Sequence, residues 1–211
     1  EWSHLSDGSR ACLLVADDRK GLLAQVTRAF SAFQFDITSA QIFCRTRADG
    51  SVEAVDFFWV RAAPGSHPSG ASIEHVQERL ISLLSRAEPV SQVGSSPGNL
   101  FGAGQPSQPV VSSATTRVYF EPEALAVGQS VLVVETADYP GLLFAITNAL
   151  FRTKVEVVAS DVRTSGGVAR DRFTVTNTDG RPLTGARLKE VCDVVETSIR
   201  KVNPRSNGRS N

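Results

Sequence analysis

The sequence predicts an α+β protein built from two ferredoxin-like βαββαβ modules, each an antiparallel sheet with both helices on one face. Three observations predict it. The stretch "ADDRKGLL" at 16–23 returns as "ADYPGLL" at 137–143. Each copy follows a short apolar β-rich run and opens an apolar-rich helical segment. After each come two β-rich runs around a glycine-containing turn, and then a second amphipathic segment.

In chain order, Ala11–Ala16 is the first strand and "GLLAQVTRAFSAF" the helix that follows the turn. The stretch "QFDITSAQIFCRTRADGSVEAVDFFWVR" is a hairpin turning on Ala48-Asp49-Gly50-Ser51. The second helix is Ile73–Ser85, with Ile73, Val76, Leu80, Leu83 and Leu84 on one face. Copy two repeats the order with Ser130–Glu135, "GLLFAITNALF", a hairpin turning on Gly166-Gly167, and a helix over Leu183–Val202. Asp36 aligns with Glu156, Ala40 with Ser160, Ile42 with Val162, and "VDFFWV" with "RDRFTV". The short run Arg117–Phe120 is assigned as the strand that completes copy one, and copy two has no evident fourth strand. The expected organisation is a first module over 1–86 completed by 117–120, a Ser/Gly/Pro/Gln-rich linker over 87–116, a second module over 130–202, and a disordered tail over 203–211.

The chain has 211 residues and balances 22 basic against 22 acidic groups, so it has no basic footprint for nucleic acid or an anionic membrane. It has neither an apolar run long enough to span a bilayer nor a signal-peptide pattern at its start. It begins with Glu1 and contains no Met, as expected of a piece of a larger protein. Cys12, Cys44 and Cys192 are scattered through apolar stretches and read as buried reduced thiols, which points to a cytoplasmic origin.

No catalytic set, metal site or cofactor is expected. Gly8-Ser9 followed by Asp17-Asp18 imitates a nucleotidyltransferase arrangement, but adjacent carboxylates on a strand point to opposite faces. His4, His67 and His75 lack metal-ligand spacing, and no serine sits in a G-x-S-x-G turn. Gly102 and Gly104 have no strand before them or helix after them, so a phosphate loop is unsupported.

The repeated turn is the candidate binding element. A helix opening at Gly21 or Gly141 presents unpaired N–H groups and the positive end of its dipole, and glycine allows close approach. Such a corner suits a small carboxylate. Asp18 and Asp138 could meet an ammonium group, which together describes a receptor for an α-amino acid. The competing reading is that each Asp is a helix N-cap and each Gly an ordinary turn residue. On the second strand of each hairpin-and-helix unit, Ala40, Ile42 and Cys44 alternate onto the core face. Gln41 and Asp161 then face the other way and are expected to contact the ligand.

The D-x-x-G-L-L turn opening a βαββαβ unit resembles the ACT domain, a module that commonly binds amino acids and regulates an attached enzyme. Two such units cover Ala11–Phe120 and Ser130–Val202; copy one departs in having Lys20 where Pro140 stands. More narrowly, "VADDRKGLLAQVTRAFSAFQFDITSAQIF", "VDFFWV" and "TRVYFEPEA" leading into "SVLVVETADYPGLLFAITNALF" resemble the C-terminal ACT pair of the bifunctional PII uridylyltransferase/uridylyl-removing enzymes. The resemblance implies a glutamine sensor acting on the catalytic domains of a parent enzyme in nitrogen regulation. With the reading of the turns and strands, the candidate ligand site comprises Asp18, Gly21, Leu22, Gln41, Asp138, Pro140, Gly141, Leu142 and Asp161, and ACT sheets could pair as a homodimer. The alternative is a structural or oligomerisation module with no small-molecule ligand.

Overall fold

The structure, a computed structural model, describes residues 1–66, 70–85 and 115–202. The predicted linker lies almost wholly outside them, and the predicted tail entirely so. The elements are β1 (Trp2–His4), β2 (Arg10–Asp17), α1 (Leu22–Ala32), β3 (Phe35–Thr46), β4 (Val52–Ala62), α2 (Gly70–Ser85), β5 (Arg117–Phe120), α3 (Pro122–Ala126), β6 (Ser130–Ala137), α4 (Leu142–Arg152), β7 (Val155–Ser165), β8 (Val168–Asn177) and α5 (Ala186–Val202).

All eight strands form one antiparallel sheet in the order β1-β2-β4-β3-β7-β8-β6-β5. The architecture is α+β, as the two ferredoxin-like ACT modules predict. The halves join edge to edge through β3 and β7, in a register centred on Gln41 opposite Asp161. Ser39 Oγ donates to the Val162 carbonyl at 2.9 Å across this seam. Bulges at Ile37/Ser39 and at Val157/Ala159 recur at matching places, so each seam strand bends alike.

One correction concerns Arg117–Phe120. It does not complete the first half; β5 pairs with β6 at the outer edge of the second. The matching edge of the first half is filled by β1, a strand that sequence reading missed. A three-residue strand bears too little periodicity to be seen, and its pairing is set by the short turn that follows it. For β5 the cause is also local. The chain re-enters the sheet at Ser130 after the short α3, and Glu121 N–H already donates to Val131 O at 2.9 Å. Closing so short a loop carries far less entropic penalty than crossing to β2. The missing fourth strand of the second half therefore precedes it.

The helices cover one face. Phe30, Val26, Phe58, Val60 and Val76 are fully buried beneath the first half, and Ile146, Leu150, Phe173, Val195 and Ile199 beneath the second. Truncating one of these phenylalanines to alanine would cost about 3–5 kcal/mol. At the centre α1 meets α4, where the Thr27 and Thr147 hydroxyls lie 2.9 Å apart; one donates to the other, which donates back to a carbonyl of its own helix. Helix α5 begins at Ala186, later than Leu183, because Ser130 Oγ accepts the Leu183 N–H at 2.8 Å and holds it extended. The cysteines are free, Cys12 buried and the other two half-buried. Among the described residues no helix is long and apolar enough to cross a membrane.

Candidate functional site

Both repeated turns adopt the same shape. Gly21 and Gly141 cap α1 and α4 with φ of 76° and 84°, a left-handed geometry that a β-carbon disfavours. Neither helix has a side-chain cap, so the N-cap reading of Asp18 and Asp138 does not hold. Three residues before the glycine, each Asp is instead pinned to the hairpin end through its N–H. Asp18 donates to Val52 O and Asp138 to Gly167 O, both at 2.9 Å. Leu22 and Leu142 N–H turn back to the Arg19 and Tyr139 carbonyls at 3.1 Å. The remaining first-turn N–H groups have no acceptor within their helix.

Each turn opens on a pocket that needs both halves. The first cleft has a volume of about 560 Å³ and is bounded by Asp18–Ala24, Ile42, Cys44, Ala54 and Asp56. From the other half come Thr147, Phe151, Val155, Glu156, Val157 and Thr176. Its counterpart, beneath Gly141, is bounded by Asp138, Tyr139, Leu142, Val162, Thr164, Ala169 and Asp171, with Thr27, Ser31, Phe35, Asp36 and Ile37 from the first half. Position by position the walls correspond, but the second cavity is only about 10 Å³, room for about one water.

The sealing of the second pocket has named causes. Arg61 donates to buried Asp36 from Nη2 at 3.1 Å and from Nε at 3.3 Å, and its Nη2 lies 3.9 Å from Asp138. A half-exposed cation of the protein thus bridges two carboxylates from opposite halves, Asp36 and Asp138, both of which line this pocket. Tyr139 folds inward and donates its hydroxyl to the Ile199 carbonyl at 2.9 Å, tying the turn to α5. In the open cleft, Thr176 stands where the register places Arg61, opposite Glu156 as Arg61 is opposite Asp36. Arg19 makes the matching tie, donating to the Leu83 carbonyl of α2 and, at 3.3 Å, to Gln25 Oε1.

Charge accumulates in both pockets. Burial pushes Asp138 up to about 6, reinforced by the Asp36 charge and opposed by the Thr164 hydroxyl and Arg61. Asp36 is also raised by burial, with Arg61 holding it back. Cys44 lies 3.8 Å from Asp18, in the place of Thr164, and burial beside that carboxylate raises its thiol to about 12. Sequence reasoning passed over the two most buried acids, Asp56 and Asp171, each 1 % exposed and each with an Oδ1 that has no hydrogen-bond partner. The available signal was the Asp shared by "VDFFWV" and "RDRFTV", on strands otherwise facing the core. Among the described residues no group of three or more acids, histidines or cysteines is arranged to hold a metal ion.

Of the residues singled out from sequence, Asp18, Gly21 and Leu22 meet in the open cleft, and Asp138, Gly141 and Leu142 in the closed one. Pro140 sits in the turn before Gly141. Gln41 and Asp161 are brought together, but opposite each other on the seam and on the helix-free face. There Asp161 pairs with Arg163 at 2.8 Å, and neither Gln41 nor Asp161 lines either of these two pockets. Alternation places them behind Ala40, Ile42 and Val162, which are core residues.

No family model matches the chain. It is similar to curated proteins named bifunctional uridylyltransferase/uridylyl-removing enzyme. That of Phenylobacterium zucineum is 29 % identical over 182 residues, covering 84 % of this chain and 18 % of the relative. That of Streptomyces coelicolor is 29 % identical over 192 residues, covering 89 % and 22 %. That of Rhodospirillum rubrum is 26 % identical over 210 residues, covering 95 % and 21 %. The chain thus spans about a fifth of the length of the relatives it matches. A solved structure of an unknown protein from Galdieria sulphuraria overlaps 90 % of both chains at 17 % identity and a TM-score of 0.28, a likeness too slight to bear on the fold or the site.

Proposed function

We propose that the chain is an amino-acid-sensing regulatory module, with glutamine as its ligand, and that it controls a uridylyltransferase/uridylyl-removing enzyme of which it is a part. The observation that carries this is the open cleft at Gly21. A glycine-capped helix start with free N–H groups there faces carboxylates across a volume of about 560 Å³, within the range of small-molecule sites. The carboxylate of the amino acid takes the α1 N–H groups near Gly21, with Lys20 beside them. Its ammonium meets the acidic wall. The ligand touches both halves, so it favours one arrangement of them over another. A coupling of roughly 1–3 kcal/mol suffices to regulate an attached domain. The relatives' names support the parent activity, and the length matched suits a regulatory segment.

Calorimetric titration with each of the twenty amino acids tests the reading. Heat from glutamine that Gly21→Val abolishes supports it; silence from all twenty sinks it.

A second reading rests on a different surface. On the helix-free face of the first half, Val15, Val55 and Phe43 form a cross-strand row beside Phe57, with Val15 45 % and Phe43 47 % exposed. A second copy of the chain docking there would give a homodimer. Sedimentation without ligand checks it: a dimer that Phe43→Lys dissociates is the expected result.

A further inference from the structure

We infer that the counter-ion for the ligand's ammonium group is the buried Asp56 carboxyl rather than Asp18 at the turn, and that its proton passes to solvent as the ligand binds. This rests on the amino-acid reading above and deepens it. Asp56 lies on β4 between the core residues Ala54 and Phe58, so alternation brings its side chain to the helix-covered face beneath the Gly21 turn. It lines the open cleft, is 1 % exposed, and keeps Oδ1 without a partner. A buried carboxyl oxygen left unpaired at the wall of a cleft calls for a hydrogen-bonding partner.

The sealed pocket clarifies the point by contrast. Arg61 stands between Asp36 and Asp138, so the turn carboxylate there has an internal cation. Thr176 puts no cation at the matching register position, and the cations lining the open cleft, Arg19 and Lys20, come from the turn itself. The groups facing Asp56 are Asp18, Arg19 and Lys20 on the turn, Cys44 on β3, Cys12 on β2 and Glu156 on β7. Burial, helped by Asp18, raises Asp56 to about 7, while the Phe43 N–H pulls it down. Without ligand the acid therefore holds its proton in mildly acidic solution. An arriving ammonium favours the carboxylate, the O–H bond breaks, and the proton leaves to the buffer while the ammonium keeps all its own.

Titrating the full chain with L-glutamine at pH 6 and pH 8, in buffers of different ionisation enthalpy, counts that proton. With Asp56 at about 7, about 0.9 proton should leave per ligand at pH 6 and about 0.1 at pH 8, with affinity rising about tenfold between them. Asp56→Asn should abolish the release, and Asp18→Asn should leave a smaller release at pH 6, because the Asp18 charge no longer helps hold the proton. Nα-acetylglutamine, lacking the ammonium, should bind at least tenfold more weakly. Glutamine heat at pH 6 that is independent of buffer overturns the inference and leaves the sensor reading intact. So does proton release that survives Asp56→Asn, or acetylglutamine binding as tight as glutamine. Absence of glutamine heat at both pH values removes the sensor reading and the inference with it. The wild-type buffer series decides whether or not Asp56→Asn folds.

Discussion

The two halves of the molecule share a turn, a helix start and a buried acid, yet one pocket has a volume of about 560 Å³ and the other only about 10 Å³, room for about one water. Gly21 and Gly141 agree in backbone, and Asp56 and Asp171 agree in burial and in an unpartnered oxygen. The difference lies in residues contributed across the seam. Arg61 reaches from the first half onto Asp138 of the second, whereas its counterpart Thr176 leaves Asp18 open. Tyr139 ties its turn to α5 through a hydroxyl and Arg19 ties its turn to α2 through a guanidinium. The helix-free face diverges in the same way. Val15, Val55, Phe43 and Phe57 of the first half become Glu135, Arg170, Arg163 and Arg172 in the second, where Glu135 pairs with Arg170 at 3.2 Å. A repeated fold keeps its main-chain devices and specialises through side chains at its edges and seams.

The comparison can be broken most decisively at the glycines. Gly21→Val should weaken ligand binding by at least about 100-fold, because a β-branched residue neither tolerates that φ nor leaves the N–H groups reachable. Gly141→Val should leave binding within about twofold while costing about 1–2 kcal/mol of stability. Equal losses of binding in a calorimetric titration of the two variants would show that the halves do not differ as described.

Moving the cation comes next. Arg61→Ala leaves Asp36 buried without its partner and should destabilise the fold by about 2–3 kcal/mol in urea melts, less than a fully buried pair because the guanidinium is half-exposed. The reverse change, Thr176→Arg, should give Glu156 and Asp18 an internal cation and weaken glutamine binding by about tenfold, with little change in the melt.

Stability against pH sharpens the likeness of the two buried acids. Burial pushes Asp171 up to about 8, with Asp138 and Asp161 adding to it. Its folded-state value lies above the unfolded one, so between about pH 4 and pH 8 the folded chain binds the extra proton. Stability is therefore greatest near the acid end of that window and falls by up to about 1.4 kcal/mol per pH unit per such group. Asp171→Asn should flatten that slope; an unchanged profile would refute the assignment.

The smallest expected effect is at the paired helix ends, where Gln34 and Lys154 carry φ of 62° and 56°. Lys154→Gly should raise stability by about 0.5–1 kcal/mol, and Gln34→Gly by a similar amount.

Much of this was legible in the sequence because it is periodic. The alternation in "ITSAQIFC" placed Ala40 and Ile42 in the core, and the duplicated D-x-x-G-L-L fixed the two helix starts. Gln41 and Asp161 lie opposite each other on the seam, apart from the two turn pockets. Alternation revealed that they share a face but not that the turns open on the opposite one. Asp56 went unread because a single acid in an apolar strand carries no local pattern. Its meaning comes from having a buried oxygen with no donor, and that is a property of the packed molecule.

By itself, the sequence determined the α+β class, the duplication, the glycine turns that open the two helices and the apolar face of each helix. All of these follow from contacts within a few residues along the chain. Only the tertiary structure decided that β5 joins the second half, that β3 and β7 fuse two sheets into one, and that Arg61 bridges Asp36 and Asp138 beside one pocket while Thr176 holds the matching place at the other. These outcomes depend on which strand edges meet and which charges are buried together, and burial and pairing are set by residues distant in sequence.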